Sequence, residues 1–459
     1  MRRAVILTLL ITALMQEGEV PGLSIVVIHE GRVAWHEAFG VANADTRAPL
    51  THDAMFESAS LTKPVFAYAV MKLVDAGDLS LDVPLHRYLP EPVADERMKQ
   101  ITARMVLAHT TGFQNEVMPG QTLAIHFTPG SRFSYSGAGY LYLERVVEHL
   151  TGKAITPLMR ELVFEPLGMR DSGYLWIDDY ETREVYGHTA GGSVAQRRKP
   201  AAATVATLHT TPLDYARFLI AMMNGTGLRR DTWRSMLSTQ TRVDPACVMC
   251  LDKASGRTSE TLSWGLGWAL ERTPRGNAFW HWGENNGEFQ NFAMGTTSGD
   301  GVVIFTNSGN GFSIMPEIVD AVLGEHPSTF AWMGYEHYDA PAKVLLRDIR
   351  ARGAVAALAT PAIDALTESR INGIGYALLQ NGRVADAIAV FERNAKRFPQ
   401  SANVYDSLGE AYAAAGDREK AAANYQRSLE LDPKNTNAAE WLRKLTTATT
   451  SSPAAAAHS

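Results

Sequence analysis

Ser60 and Lys63 stand three residues apart in "FESASLTKPVFAYAVMKLVDAG", at the start of an apolar segment that runs to Gly77. A serine hydroxyl is a poor nucleophile until a base takes its proton. On a helix, positions i and i+3 share a face, about 5–6 Å apart at Cβ, so this lysine can reach this serine. An amine acts as a base only when part of its population is neutral. Burial against Phe56, Val65 and Phe66 would penalise the ammonium form and lower its pKa, and a helix N-terminus adds positive potential in the same direction. Pro64 suits a first turn, whose N–H groups have no intrahelical acceptor. S-x-x-K alone is common in long chains. Its weight here comes from two later stretches, "FSYSGAGYLYLERVV" with Tyr135 and "FWHWGENNGEF" with His281 and Gly283.

The elements that would position these residues follow from periodicity. Two alternating runs come first, Leu23–Glu30 and Gly31–Gly40, with Glu30-Gly31 as a tight hairpin turn. From Lys63 to about Phe218 the pattern is mainly helical, broken by Pro/Gly loops, and from Trp264 strand-like runs return. Strands from both ends flanking a helical middle predict an α+β fold: one antiparallel sheet with flanking helices and an inserted helical subdomain.

The last hundred residues differ. "GYALLQNGRVADAIAVFERNAKRFP" and "GEAYAAAGDREKAAANYQRSLELDP" align Gly375 with Gly409, Gly382 with Gly416, Ala387 with Ala421, Phe391 with Tyr425 and Pro399 with Pro433, each pair 34 residues apart. That is the tetratricopeptide period. "NTNAAEWLRKL" reads as a capping helix. Two repeats are fewer than the three or so that stand alone, so residues 370–445 are expected to lean on the rest of the chain or on a second copy. Residues 326–369 read as a partly helical linker and 446–459 as a disordered low-complexity tail.

The chain has 459 residues, is 46% hydrophobic and 20% charged, and carries a net charge of −6, which gives no sign of a nucleic-acid partner. Cys247 and Cys250 leave three readings open: a local disulfide, two idle thiols, or a redox pair. No second Cys/His pair at zinc spacing, no H-E-x-x-H and no strict G-x-S-x-G occurs, so neither metal nor cofactor is expected. Residues 1–15 fit either a signal peptide without an A-x-A site or an amphipathic first helix over Leu9–Glu19. The first reading implies a periplasmic or secreted protein, the second a cytoplasmic one. Nothing later is long and apolar enough for a membrane span.

Together, Ser60-Leu-Thr-Lys63, Tyr135-Ser-Gly137 and His281-Trp-Gly283, with "VLAHTTGF" and "FEPLGM", resemble the penicillin-recognising serine hydrolases over about residues 16–325. That family includes class C β-lactamases, D-Ala-D-Ala carboxypeptidases, D-aminopeptidases and related esterases. The resemblance implies a β-lactamase-like fold in which Ser60 is the acylated nucleophile, Lys63 takes its proton and Tyr135 shuttles it to the leaving group. It also implies an oxyanion hole from the backbone N–H groups of Ser60 and Glu284, with Gly283 allowing close approach and His281 and Gly137 meeting substrate. Two positions depart from the family pattern. Gly137 stands where an asparagine would hold a substrate amide, and His281 stands where a lysine would face a substrate carboxylate. A histidine there is mostly neutral at pH 7. These departures favour an ester or amide hydrolase over a dedicated β-lactamase. A β-lactamase or penicillin-binding carboxypeptidase is the alternative, and an idle scaffold recruiting a protein partner through residues 370–445 is a third. Strand alternation further places Trp280 and Trp282 in the core behind His281, and His109 reads as a loop-stabilising residue.

Overall fold

The computed structural model describes residues 2–93, 95–118, 120–195, 201–324 and 328–447. They fall into two compact units that divide between Glu336 and His337.

The first unit is built on an antiparallel sheet fed from both ends of the unit. Its early strands are β1 (Gly22–His29), β2 (Arg32–Asn43) and β3 (Ala48–Pro49). Its late strands are β7 (Thr241–Arg242), β8 (Leu262–Trp264), β9 (Ala269–Thr273), β10 (Gly276–Asn285), β11 (Phe289–Thr296) and β12 (Gly301–Thr306). The order is β3-β2-β1-β12-β11-β10-β9-β8-β7, so the first and last strands pair in the middle, with Ile25 opposite Ile304. Three short strands, β4 (Phe56–Glu57), β5 (Ser172–Gly173) and β6 (His209–Thr210), make a separate small sheet ordered β4-β6-β5. The β1–β2 turn is the expected hairpin: Glu30 (φ 51°) and Gly31 (φ 69°) both lie in the left-handed region, the signature of a two-residue turn matched to strand twist.

Helix α1 (Arg2–Glu17) precedes the sheet. Leu7, Ile11, Leu14 and Met15 are buried and Val5, Ile6 and Leu9 exposed, so the segment is an amphipathic helix that starts earlier than its sequence suggested. Arg3 ties it down by donating to the Val322 carbonyl at 2.7 Å. No helix among the described residues is long and apolar enough to cross a membrane. The helical middle contains α2 (Thr62–Ala76), α3 (Ala103–Leu107) and α4 (Gly137–Thr151). Helix α2 is buried on every face through its first ten residues, which are mostly apolar for that reason: Val65, Phe66, Ala69 and Val70 are each at most 1% exposed. It stops at Gly77, whose φ of 84° closes the last turn onto Leu73 and Val74. The core joins the small sheet to the large one through edge-on aromatic contacts, Phe56 of β4 on Phe305 of β12 at 5.6 Å among them.

The second unit is all helical: Pro341–Arg352, Ala354–Ala357, Glu368–Gln380, Val384–Arg397, Ala402–Ala414, Arg418–Leu431 and Thr436–Thr447, with one 3-10 turn. The repeated residues pack as their period implies. Ala387 and Ala421 are fully buried. Gly382 and Gly416 turn the chain at φ 70° and 78°. Gly375 and Gly409 lie under Phe391 and Tyr425, where an added Cβ would come within 2.4 Å and 3.0 Å of the rings. The core also takes in Leu345, Leu346 and Ile349 from Pro341–Arg352, a helix that the sequence pattern had left in the linker. Residues 448–459 of the expected tail, and 325–327 at the head of the linker, lie outside the described residues. Gly375→Ala is predicted to destabilise this unit by about 1–3 kcal/mol, the usual overpacking cost. Calorimetric unfolding checks this, and an unchanged transition would contradict it.

Candidate active site

Ser60 sits in a 3-10 turn, Ala59–Leu61, between β4 and α2. The turn is strained by Ala59, a residue with a Cβ held at φ 52°. It is held from both sides. The Ser58 hydroxyl donates to the Leu208 carbonyl at 2.8 Å and the Thr62 hydroxyl to the Ala59 carbonyl at 2.5 Å. Asn291 on β11 donates to the Glu57 carbonyl at 2.8 Å, and Asn285 on β10 to the Glu57 carboxylate at 3.0 Å. Gly283 lets β10 come this close: a Cβ there would lie 2.1 Å from the Ser58 carbonyl oxygen.

Lys63, in the first turn of α2, is 2% exposed. Its Nζ lies 2.9 Å from Ser60 Oγ and donates to the Val205 carbonyl at 2.9 Å. It sits 5.0 Å from the centre of the Tyr135 ring. Burial lowers its pKa to about 7, against an opposing pull from Glu116, so near neutrality the amine is a usable base. Tyr135 is 4% exposed, and burial raises its phenol pKa, with Ser60 as the opposing neighbour. The hydroxyl approaches Ser60 without closing a well-formed hydrogen bond, and it remains buried and unpartnered. Tyr135 is therefore a neutral phenol at pH 7.

His109 braces this phenol. Its ring stacks on Tyr135 at 4.3 Å between centroids, and its Nδ1 accepts from the Ser136 N–H at 3.0 Å. Burial holds its pKa well below the ordinary histidine value, which keeps Nδ1 free to accept. The Tyr135 N–H donates to the Val248 carbonyl at 3.0 Å. Val248 belongs to the loop closed by the Cys247–Cys250 disulfide, which settles the cysteine question in favour of a local bridge. Asp244 lies beside the two sulfurs, but sulfurs joined to each other are not thiolate ligands.

The cleft at Ser60 encloses about 320 Å³ and also meets Asn115, Glu116, Tyr135, Met249, Trp282, Glu284 and Tyr335. A larger cleft beside β7–β9 has serine and threonine hydroxyls but no lysine or histidine to activate them. The structure thus gathers Ser60, Lys63, Tyr135, Gly283 and Glu284 at one place. Two expectations need correction. His281 is fully buried and does not line the cleft. Its Nδ1 donates to the Trp282 carbonyl at 2.7 Å, and burial followed by the Lys63 charge lowers its pKa to about 3. It is a neutral wall behind Lys63 and Tyr135, not a substrate contact. Trp282, expected in the core with Trp280, is mostly buried but also lines the cleft, packed on Tyr135 at 4.8 Å. Trp280 is fully buried between Phe292 and Trp332, while Trp282, also packed edge-on against Trp332 at 6.3 Å, reaches the cleft beside Tyr135.

Gly137 opens α4 and shows where a missing amide is replaced. Its N–H donates to Asn115 Oδ1 at 2.9 Å, and a Cβ on it would meet the Asn115 backbone oxygen at 2.8 Å. Asn115 thus occupies the room a side chain at 137 would need, and it faces the cleft. Sequence reasoning passed over it, although an S-G pair in place of an amide was reason to look for another amide nearby. Nothing in the sequence pointed to Met333 and Tyr335, which line the cleft from a stretch read as linker.

Holding Lys63 near pKa 7 weakens the fold. Between about pH 7 and 10.5 the unfolded chain binds this proton more tightly than the folded one, so stability from this group rises with pH across that window. Lys63→Met removes the penalty. The stability of the variant relative to the parent is predicted to be most favourable at pH 7 and to fall by a few kcal/mol toward pH 10.5. Urea unfolding at several pH values measures this, and a pH-independent difference would contradict it.

A sequence model of the Beta-lactamase family matches residues 7–322, and a Tetratricopeptide repeat model matches 367–434. "Penicillin-binding protein 4" of Amycolatopsis lactamdurans is 30% identical over 68% of this chain and 87% of its own length. "Esterase EstB" of Burkholderia gladioli is 31% identical over 35% of this chain and 49% of its own. Among solved structures, a D-alanine carboxypeptidase AmpC from Burkholderia cenocepacia shares the fold at TM-score 0.59 and 18% identity, over 70% of this chain and 99% of the other. An octameric penicillin-binding protein homologue from Pyrococcus abyssi does so at TM-score 0.60 and 21% identity, over 75% of this chain and 82% of the other.

Proposed function

The chain belongs to the β-lactamase family of serine hydrolases, and we propose that it hydrolyses a small ester or amide through an acyl-enzyme on Ser60. The observation that carries this reading is the 2.9 Å approach of a desolvated Lys63 amine to Ser60 Oγ. The neutral amine accepts the hydroxyl proton as Oγ bonds to the substrate carbonyl carbon. The Ser60 and Glu284 N–H groups receive the oxyanion; losing one such donor typically costs about 2.7–4 kcal/mol in the transition state. The proton returns through the Tyr135 phenol to the leaving oxygen or nitrogen as its bond to carbon breaks. Water then attacks the ester, its proton following the same route in reverse, and releases the acid and Ser60.

The relative named as a penicillin-binding protein favours a second reading, acylation by a β-lactam or a D-Ala-D-Ala peptide. The neutral, buried His281 weighs against tight capture of a substrate carboxylate. The tetratricopeptide match supports a protein-binding role for the second unit, with the partner or self-association unspecified.

A short-chain p-nitrophenyl ester is predicted to turn over, with kcat/KM rising through a midpoint near pH 7 as Lys63 loses its proton. Ser60→Ala is predicted to abolish turnover. Unchanged hydrolysis by Ser60→Ala would refute the reading. A covalent adduct of labelled penicillin on Ser60, with no ester turnover, would favour the second.

A further inference from the structure

Among the described residues, the charges that line the cleft at Ser60 have one sign. Two carboxylates line the cleft, Glu116 and Glu284, and no described lysine, arginine or histidine lines it. Among the described residues the nearest cation, Lys63, is buried behind Ser60 and engaged with Ser60 Oγ and the Val205 carbonyl. Glu284 accepts from the Gln290 amide at 3.1 Å and from the Tyr335 hydroxyl. Both donors are neutral, so they fix the carboxylate in place without cancelling its charge. Among the described residues neither glutamate forms an ion pair within 4 Å. Three ring systems, Tyr135, Trp282 and Tyr335, share the lining. Aromatic faces attract a cation, most strongly where water is excluded. The Tyr135 hydroxyl, buried and without a partner, marks the point where a substrate atom completes the network. A substrate carboxylate would meet two like charges here and no partner, and like charges disfavour each other at this range.

We propose that the Ser60 cleft selects esters or amides bearing a positively charged amine, with Glu116 and Glu284 as its specificity-determining carboxylates. This rests on the acyl-enzyme reading above. It separates the chain from hydrolases that hold a substrate carboxylate on a lysine: the described lining carries two anions, and the neutral His281 stands where the family resemblance would place a cation.

The test compares matched esters on the full chain. On the acyl side they are the ethyl esters of 6-aminohexanoate, heptanoate and pimelate (the monoester), which share one spacer and differ in terminal charge. On the alcohol side they are acetylcholine, 3,3-dimethylbutyl acetate and 3-acetoxypropionate. The expected result, in at least one trio, is a kcat/KM ordered cationic, neutral, anionic, about tenfold from first to last, shrinking as salt is raised. Glu116→Gln should lower the cationic-to-neutral ratio about threefold, the size expected of one solvent-facing charge. Equal rates within both trios, or a preference for the anion, with Ser60→Ala inactive on all six, would overturn the proposal and leave the hydrolase reading standing. No turnover and no Ser60 acylation with any of the six would overturn both.

Discussion

An ammonium ion removed from water is costly, and the first unit is organised around that cost. Lys63 lies in the first turn of a helix whose first ten residues are all buried, in contact with Tyr135 and Tyr140 and 2% accessible. The penalty falls on the charged form alone, so it makes the amine a base. Burying the helix more shallowly would restore an ordinary lysine and leave Ser60 an ordinary serine. The apolar run from Val65 to Leu73 is therefore part of the chemistry as much as of the packing.

The surrounding structure delivers other groups to that amine from distant parts of the chain. Strand β10 presses its glycine against the turn that carries Ser60, and asparagines of β10 and β11 fasten the same turn. Tyr135 arrives from the loop before α4, with His109 stacked on one face and Trp282 on another. The positive φ of Ala59 is the local strain that these contacts sustain. His281 adds no charge, and its burial keeps the space behind Lys63 apolar enough to hold the amine's pKa down.

Much of this was legible in the residues. The strand–helix–strand pattern gave the sheet fed from both ends, because alternation and helical periodicity are local properties. The spacing of Ser60 and Lys63 gave their contact for the same reason. The 34-residue period gave the glycine-under-aromatic packing of Gly375 and Gly409. Long-range facts were not legible. Asn115 filling the room beside Gly137, and Tyr335 reaching Glu284, depend on loops whose paths no periodicity encodes. Trp282 meets the cleft because Tyr135 comes in against it from a distant loop, which strand alternation does not encode. His281 was placed on the correct strand, but facing the substrate, because the motif identifies a position and says nothing of how deeply it lies.

The central claim is that burial brings the Lys63 amine to half-ionisation near neutrality. The direct measurement is a 13C NMR titration of the Lys63 Cε signal in lysine-labelled protein, assigned by its absence in Lys63→Arg. The account predicts a midpoint near pH 7. A midpoint near pH 10.5, the ordinary lysine value, would mean that the amine is charged at working pH and cannot take the proton from Ser60.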